Sequence, residues 1–186
     1  KIKFSDNPRN EDMNWTLEQL KQELRSRKDV KGWILTHEDL HRRERYFLLD
    51  QGKLAIDQDR EVHSQSVEAR LFVGIGKPGR QGEITKKIVK EKAIGPQLDS
   101  AIAAAKETDH EAWDLPTELP KDIPEVKGCD PKMAEDLQGS LEEVTREIAA
   151  SVATPRKTTF NSSELFMSVH DRELHLSNGL INRSKQ

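Results

Sequence analysis

The chain has 186 residues, of which 34% are hydrophobic and 34% charged, and 30 basic against 33 acidic side chains leave a net charge of -3. That mixed balance excludes the strong positive field that draws in nucleic acid regardless of sequence, so no nucleic-acid partner is expected. A single cysteine, Cys129, excludes an intrachain disulfide and a four-cysteine zinc site, and no run approaches the ~20 apolar residues of a membrane span.

A reducing compartment, the cytoplasm, is therefore the expected location, because Lys1-Ile2-Lys3-Phe4 also lacks the apolar run of a secretory signal. Residues 1–12 are polar and aperiodic and read as a tag or flexible leader, with Met13 a candidate start. A helix is predicted from Thr16 to Arg27. Thr16 and Gln19 fit a capping box, and Leu17, Leu20 and Leu24 share one helical face over which Trp15 can close. Strand-like runs follow at Gly32 to Thr36 and at Arg45 to Leu49, the second ending in an Asp50-Gln51-Gly52 turn, with Leu54 and Ile56 alternating beyond it. In the clearest strand, Val67, Ala69, Leu71 and Val73 point one way while Glu68 and Arg70 point the other, the pattern of an antiparallel sheet with one solvated face.

A glycine-rich loop spans Gly74 to Gly82. Helical patterning is then expected to resume at Ile84, Ile88 and Val89, until Pro96 opens a second helix carrying Leu98, Ala101, Ile102 and Ala105 on one stripe. Residues 108–130, with Pro116, Pro120 and Pro124, read as an extended linker. Asp130 then caps a long predicted helix with Pro131 at its start, Met133, Leu137, Leu141, Val144, Ile148 and Val152 as its stripe, and Pro155 as its stop. Leu165 to Val169 and Leu174 to Leu176 read as two strands joined near Asp171-Arg172. The predicted class is α+β: helices packed on a mixed or largely antiparallel sheet, followed by a long helix and a second strand pair. The expected division is an α/β domain over 13–107, a linker over 108–130, and over 131–186 the start of a second subdomain, expected to be truncated.

His37-Glu38-Asp39-Leu40-His41 matches H-E-x-x-H. In zinc peptidases that spacing works because residues four apart stack on one helical face, so both imidazoles reach the metal and the glutamate polarises its water. Here the string lies between strand-like runs, Asp39 and Arg42 put charges where such a helix is apolar, and no third ligand follows. A solvated turn is expected, and no metal ligand is assigned to His37, Glu38 or His41. The neighbouring run His41 to Arg45 reads as a solvated strand face. Gly74-Ile75-Gly76-Lys77-Pro78-Gly79 matches G-x-G-x-x-G, yet Pro78 removes an amide and no helix opens inside the loop, so a flexible turn is expected and no cofactor site. His63, His110, His170 and His175 have polar neighbours, His170 and His175 flanking the predicted hairpin turn. Cys129 precedes a helix start, where amides lower a thiol pKa, but no partner histidine accompanies it, so its role is read as structural or incidental. No catalytic residue is assigned.

The order of these segments resembles a family. A leading helix and a strand-rich stretch run through Leu71-Phe72-Val73 into Gly79-Arg80-Gln81-Gly82, then the helix Leu98 to Ala105 and a proline-punctuated link with Trp113-Asp114-Leu115-Pro116. Asp130-Pro131, a long helix and Glu173-Leu174-His175-Leu176-Ser177-Asn178-Gly179-Leu180 complete the series. From about Thr16 to Leu180 it is similar to the first half of TldD/PmbA proteins, also called modulators of DNA gyrase, although Ser177 before Asn178 departs from the commoner Asn-Ser order. The resemblance implies metal-dependent peptidases, or their inactive partners, that mature or degrade small peptides in the cytoplasm of bacteria or archaea as dimers enclosing a cavity. It places zinc, with an H-E-x-x-x-H motif, further along than this chain extends, so no ligand is carried over. The chain is then expected to be inactive alone, without a cofactor of its own, as the amino-terminal wall of a peptide-processing cavity with possible homo- or heterodimer contacts. Two alternatives stand beside it: a self-contained interaction domain pairing through strand edges, and a minimal zinc hydrolase using His37, Glu38 and His41.

Overall fold

A computed structural model describes residues 15–50, 53–118, 128–153 and 160–186. The expected leader 1–12, Met13, Gln51-Gly52 of the first turn, Pro120, Pro124 and Pro155 lie outside the described residues. The class is α+β. Helices α1 (Leu17–Ser26), α2 (Ile94–Lys106), α3 (Pro131–Glu135) and α4 (Leu137–Ala153) accompany six strands: β1 (Val30–Asp50), β2 (Lys53–Gly74), β3 (Arg80–Ile88), β4 (His110–Glu111), β5 (Ser162–Leu176) and β6 (Ile181–Lys185). The strands form one antiparallel sheet in the order β4-β3-β2-β1-β5-β6, and a strand pair follows the helices α3 and α4. No helix among the described residues is long and apolar enough to cross a membrane.

The residues gather into two compact units, one within Lys1–His37, Ser66–Leu119 and Leu174–Asn182, the other within Glu38–Gln65, Pro120–Glu173 and Arg183–Gln186. These units interleave along the chain, so neither coincides with the consecutive segments 13–107 and 131–186.

In the first unit the capping box of α1 closes as its sequence requires. Thr16 Oγ1 accepts from the Gln19 amide at 3.2 Å and Gln19 Oε1 accepts from the Thr16 amide at 2.7 Å, satisfying donors that a helix start leaves open. Trp15, Leu20 and Leu24 then pack with Val67, Ala69, Leu71 and Val73 of β2 and with Leu98, Ala101 and Ala105 of α2. Phe72 breaks the alternation: it is buried on the other face of β2, edge-on to Trp113 with ring centroids 4.7 Å apart. The helical turn expected around Ile84 and Ile88 is instead strand β3, antiparallel to β2 with Leu71 opposite Ile84 and Val67 opposite Ile88. A spacing of four returns to the same face of a helix and of a strand, and the hydrogen bonds offered by β2 decide between them.

The second unit corrects three further expectations. Residues 37–41, read as a turn, lie inside the single strand β1, as does the run His41 to Arg45, read as a strand face. Their polar side chains are cross-strand partners: His63 Nε2 meets Asp39 at 2.7 Å, His41 Nε2 meets Glu61 at 2.8 Å, and Arg43 meets Asp59 at 2.8 Å. Each step of two along β1 is matched by a step of two back along β2, as antiparallel neighbours on one face require. The expected long helix is divided at Asp136, whose backbone leaves the helical region at φ -141° and whose carboxylate accepts from the Gly139 amide at 2.8 Å, starting α4. Leu137 and Leu141 of the stripe are buried, while Met133, Val144, Ile148 and Val152 are half-buried. The third correction concerns the turn expected at Asp171-Arg172. Strand β5 continues through those residues, Arg172 lying 3.5 Å from Glu38 and Lys185 3.4 Å from Asp171. The hairpin turn comes later, at Gly179 in the first unit, where φ is +94° and the Leu176 amide donates to the Leu180 carbonyl at 2.9 Å.

Candidate ligand cleft

The strand geometry of β1 determines what the H-E-x-x-H string can do. Successive side chains of a strand alternate faces and rise about 3.3 Å per residue, so positions four apart on one face are separated by about 13 Å. Glu61 is the partner of His41, whereas Glu38 points to the other side of the strand, 3.5 Å from Arg172 and 3.9 Å from His170. Hydrogen bonding by His41, seconded by burial working the other way and by the Arg43 charge, holds the Glu61 carboxyl below the usual glutamate range. These residues are an ionic ladder, and the structure does not bring His37, Glu38 and His41 together. Among the described residues, no three His, Cys, Asp or Glu side chains are placed to hold a metal ion.

The G-x-G-x-x-G segment joins β2 to β3 as a hairpin loop, with Gly76 at φ +75° and Gly79 at φ +67°. No helix opens inside it. His170 and His175, read as flanking a hairpin turn, are instead five residues apart on the one strand β5 and so lie on opposite faces. Cys129 is half-buried and its thiol donates to the Asp130 carbonyl at 3.6 Å.

That hairpin loop forms one side of a cleft of about 870 Å³ in the first unit, whose other walls are the start of β1, the end of β2, residues 112–117 and the turn at Ser177-Asn178. Its size falls within the range of small-ligand sites. Backbone bonds fix the walls: the Gly74 amide donates to the Asp29 carbonyl at 2.8 Å, the Ala112 amide to the Gly79 carbonyl at 2.9 Å, and the Ser177 amide to the Trp33 carbonyl at 3.0 Å. Asn178 ties the turn to the extended segment, its Nδ2 donating to the Pro116 carbonyl at 2.6 Å. Gly74 is needed for shape as well. A Cβ there would stand 2.8 Å from Lys31 Cε, so its absence lets the lysine stem lie along the end of β2.

Four cations line the cleft, Lys28, Lys31, Lys77 and Arg80, against two carboxylates, Asp29 and Asp114. They are not equally available. Lys77 and Arg80 both bind Asp109, at 2.7 and 2.6 Å, and these two bonds, the Lys77 one foremost, pull the Asp109 carboxyl below its ordinary range. Asp29 is held by Lys106 at 2.6 Å, which lowers its pKa in the same way, and it reaches Lys31 only through its longer-range field. Lys28, Lys31 and Asp114 make no ion pair among the described residues. Trp113 is 42% exposed, with Arg70 lying 5.5 Å over its ring and Glu83 holding Arg70 from the other side at 2.5 Å. Gln81, 5% exposed, also lines the cleft, and its Nε2 is buried without a hydrogen-bond partner. Sequence reasoning found none of these as site residues. The available signal was Trp113, a lone indole in an acidic, proline-rich stretch.

No protein-family model matches the sequence, and comparison with curated proteins finds no match either. The fold is nevertheless shared with known structures. A candidate modulator of DNA gyrase from Bacteroides thetaiotaomicron superposes with a TM-score of 0.64 at 14% identity over 90% of this chain and 37% of its own. A second, from Thermotoga maritima, gives 0.56 at 14% identity over 92% of this chain and 37% of its own. TldE from Thermococcus kodakarensis gives 0.50 at 14% identity, covering 91% and 36%. The resemblance to TldD/PmbA proteins read from the order of segments is thus borne out at the level of fold. The chain spans a little over a third of the length of these structures.

Proposed function

We propose that this chain is a non-catalytic part of a TldD/PmbA-like peptide-processing protein and forms part of the wall around its peptide cavity. The observation that carries this reading is the fold shared with TldE and with the two candidate modulators of DNA gyrase. The geometry of β1 agrees with it. Two imidazoles that share a zinc each approach it to about 2.1 Å, whereas strand positions four apart are about 13 Å apart. The residues present here therefore do not fit that ion. In this reading the partner is another family member, the same or a different chain, the substrate is a peptide, and the compartment is the cytoplasm.

Incubation of the purified chain with unstructured peptides and zinc tests the proposal. The expected result is no cleavage above a protein-free control, by mass spectrometry, and no loss of a signal on His41→Ala. Zinc-dependent hydrolysis that His41→Ala abolishes would overturn it.

A further inference from the structure

We propose that the cleft of the first unit binds the carboxyl-terminal end of a short extended peptide. Four features of the cleft, each with a different chemical demand, lead to that ligand. Among the described residues Lys28 and Lys31 have no ion-pair partner, so the ligand brings a negative group to them. Lys77 and Arg80, by contrast, share the Asp109 carboxylate, which occupies their donors and leaves the trio one net positive charge. The two free ammonium groups suit a single carboxylate, since each is a point charge with rotatable donors and the planar guanidinium fork of Arg80 is already engaged.

Gln81 adds the second demand. A buried amide nitrogen without an acceptor costs about 1–3 kcal/mol, so such a group marks a place where an acceptor is missing. Gln81 lines the cleft, and a turn of its side chain brings this neutral amide donor to a neutral carbonyl, which a peptide bond supplies. Trp113 sets the third. One part of its indole packs on Phe72 and Arg70, and the 42% that stays exposed offers an apolar surface to a side chain or peptide plane. The fourth is Asp114, which makes no ion pair among the described residues and lies on the same wall segment. It repels a doubly charged phosphate and accepts a peptide N–H, which favours a peptide over a nucleotide on the same indole. Carboxylate, carbonyl, N–H and apolar group together, in a space of about 870 Å³, describe a peptide end of a few residues. This inference shares with the supporting role only the word peptide: cleavage by the chain would sink that role and leave the cleft as described.

Calorimetric titration of the whole chain with acetyl-tetra-alanine tests it, alongside the same peptide amidated at its carboxyl end and adenosine monophosphate. The free acid is expected to bind saturably and at least about tenfold more tightly than the amide, a difference of about 1.4 kcal/mol. The double variant Lys28→Ala/Lys31→Ala is expected to bring the acid down to the affinity of the amide and leave the amide unchanged. Both lysines are exposed, so folding is retained, and circular dichroism checks that. Trp113→Phe is expected to keep the preference for the acid while abolishing the ligand-induced change in fluorescence. Equal affinity for acid and amide, absence of saturable binding, or tighter binding of adenosine monophosphate than of the acid overturns the proposal.

Discussion

At Gly82 the sheet and the end of α2 come within a side chain's width of one another, and that contact gives a sharp test of the packing. A Cβ at this position would lie 2.1 Å from the Ala105 carbonyl oxygen and 2.7 Å from its carbon, both backbone atoms. To restore ordinary contact the end of α2 must retreat by about 1 Å. It is not free to do so. Ala105 is fully buried, its carbonyl accepts from Thr108 Oγ1 at 2.8 Å and from the Thr108 amide at 3.0 Å, and Thr108 Oγ1 also accepts from the Glu83 amide at 2.7 Å. Gly82→Ala therefore either loses these bonds or distorts β3 opposite Val73, and overpacking of this kind costs about 3 kcal/mol. With a denaturant slope near 2 kcal/mol per molar, the urea midpoint falls by about 1.5 M. Fluorescence of Trp15 and Trp33, both buried in the core beside α2, follows the transition. Gly76→Ala is the control: its φ of +75° strains any side chain, but nothing lies within 4 Å, so it costs only about 1 kcal/mol. A midpoint for Gly82→Ala within about 0.3 M of the parent would refute the close approach of α2 to β3.

Three further outcomes follow from the same structure. Leu141→Ala empties a fully buried position of α4 and is expected to destabilise by about 2–5 kcal/mol in the same urea assay, whereas exposed Arg146→Ala stays within about 0.5 kcal/mol. Thr16→Ala removes one half of the capping box and is expected to cost about 1 kcal/mol, with Thr16→Ser retaining most of it. Arg45, 2% exposed, binds Asp59 at 2.5 Å, Glu142 at 2.8 Å and Thr145 Oγ1 at 2.9 Å. Glu142 is held below the usual carboxylate range first by this Arg45 bond, and Asp59 is held low because the Arg45 and Arg43 bonds together outweigh the upward push of burial. The unfolded chain then takes up protons before the folded one, so this stability is present at neutral pH and is lost as pH falls through and below about 4. Arg45→Met is expected to lower the urea midpoint at pH 7 and to lower it much less at pH 3. An equal loss at both values would show that the stem of Arg45, and not its charge, carries the effect.

The elements that the sequence announces are those whose period has one interpretation. In α1 and α2 the apolar stripe repeats at three and four residues, and in the Val67 to Val73 segment it repeats at two, so each selects one secondary structure. Ile84 and Ile88 are separated by four, which serves either, and here the partner strand determines the outcome. The middle of β1 and of β5 was unreadable for another reason. His41 at the end of its string and Asp171 look like turn residues until Glu61 and Lys185 are seen across from them, and those partners lie 14 to 20 residues away in the chain. The division at Asp136 left the stripe of Leu137 and Leu141 intact, so periodicity alone could not show it. Its trace is Gly139, where a Cβ would meet the capping carboxylate at 2.1 Å.

The same logic separates the linear motifs from the cleft. H-E-x-x-H and G-x-G-x-x-G have meaning only on a helix and at a strand-to-helix turn, and their matches here fall within a strand and a strand-to-strand turn. A motif carries chemistry through the geometry its backbone imposes, so the same letters on β1 yield a ladder of cross-strand ion pairs. The cleft has the opposite character. Lys31, Gln81, Trp113 and Asn178 come from four separated stretches, and no spacing in the chain relates them. What they share is one cleft, in which, among the described residues, Lys28, Lys31 and Asp114 have no ion pair and Gln81 Nε2 has no acceptor. Their convergence on one cleft is what the linear sequence does not account for, and a ligand that completes them does.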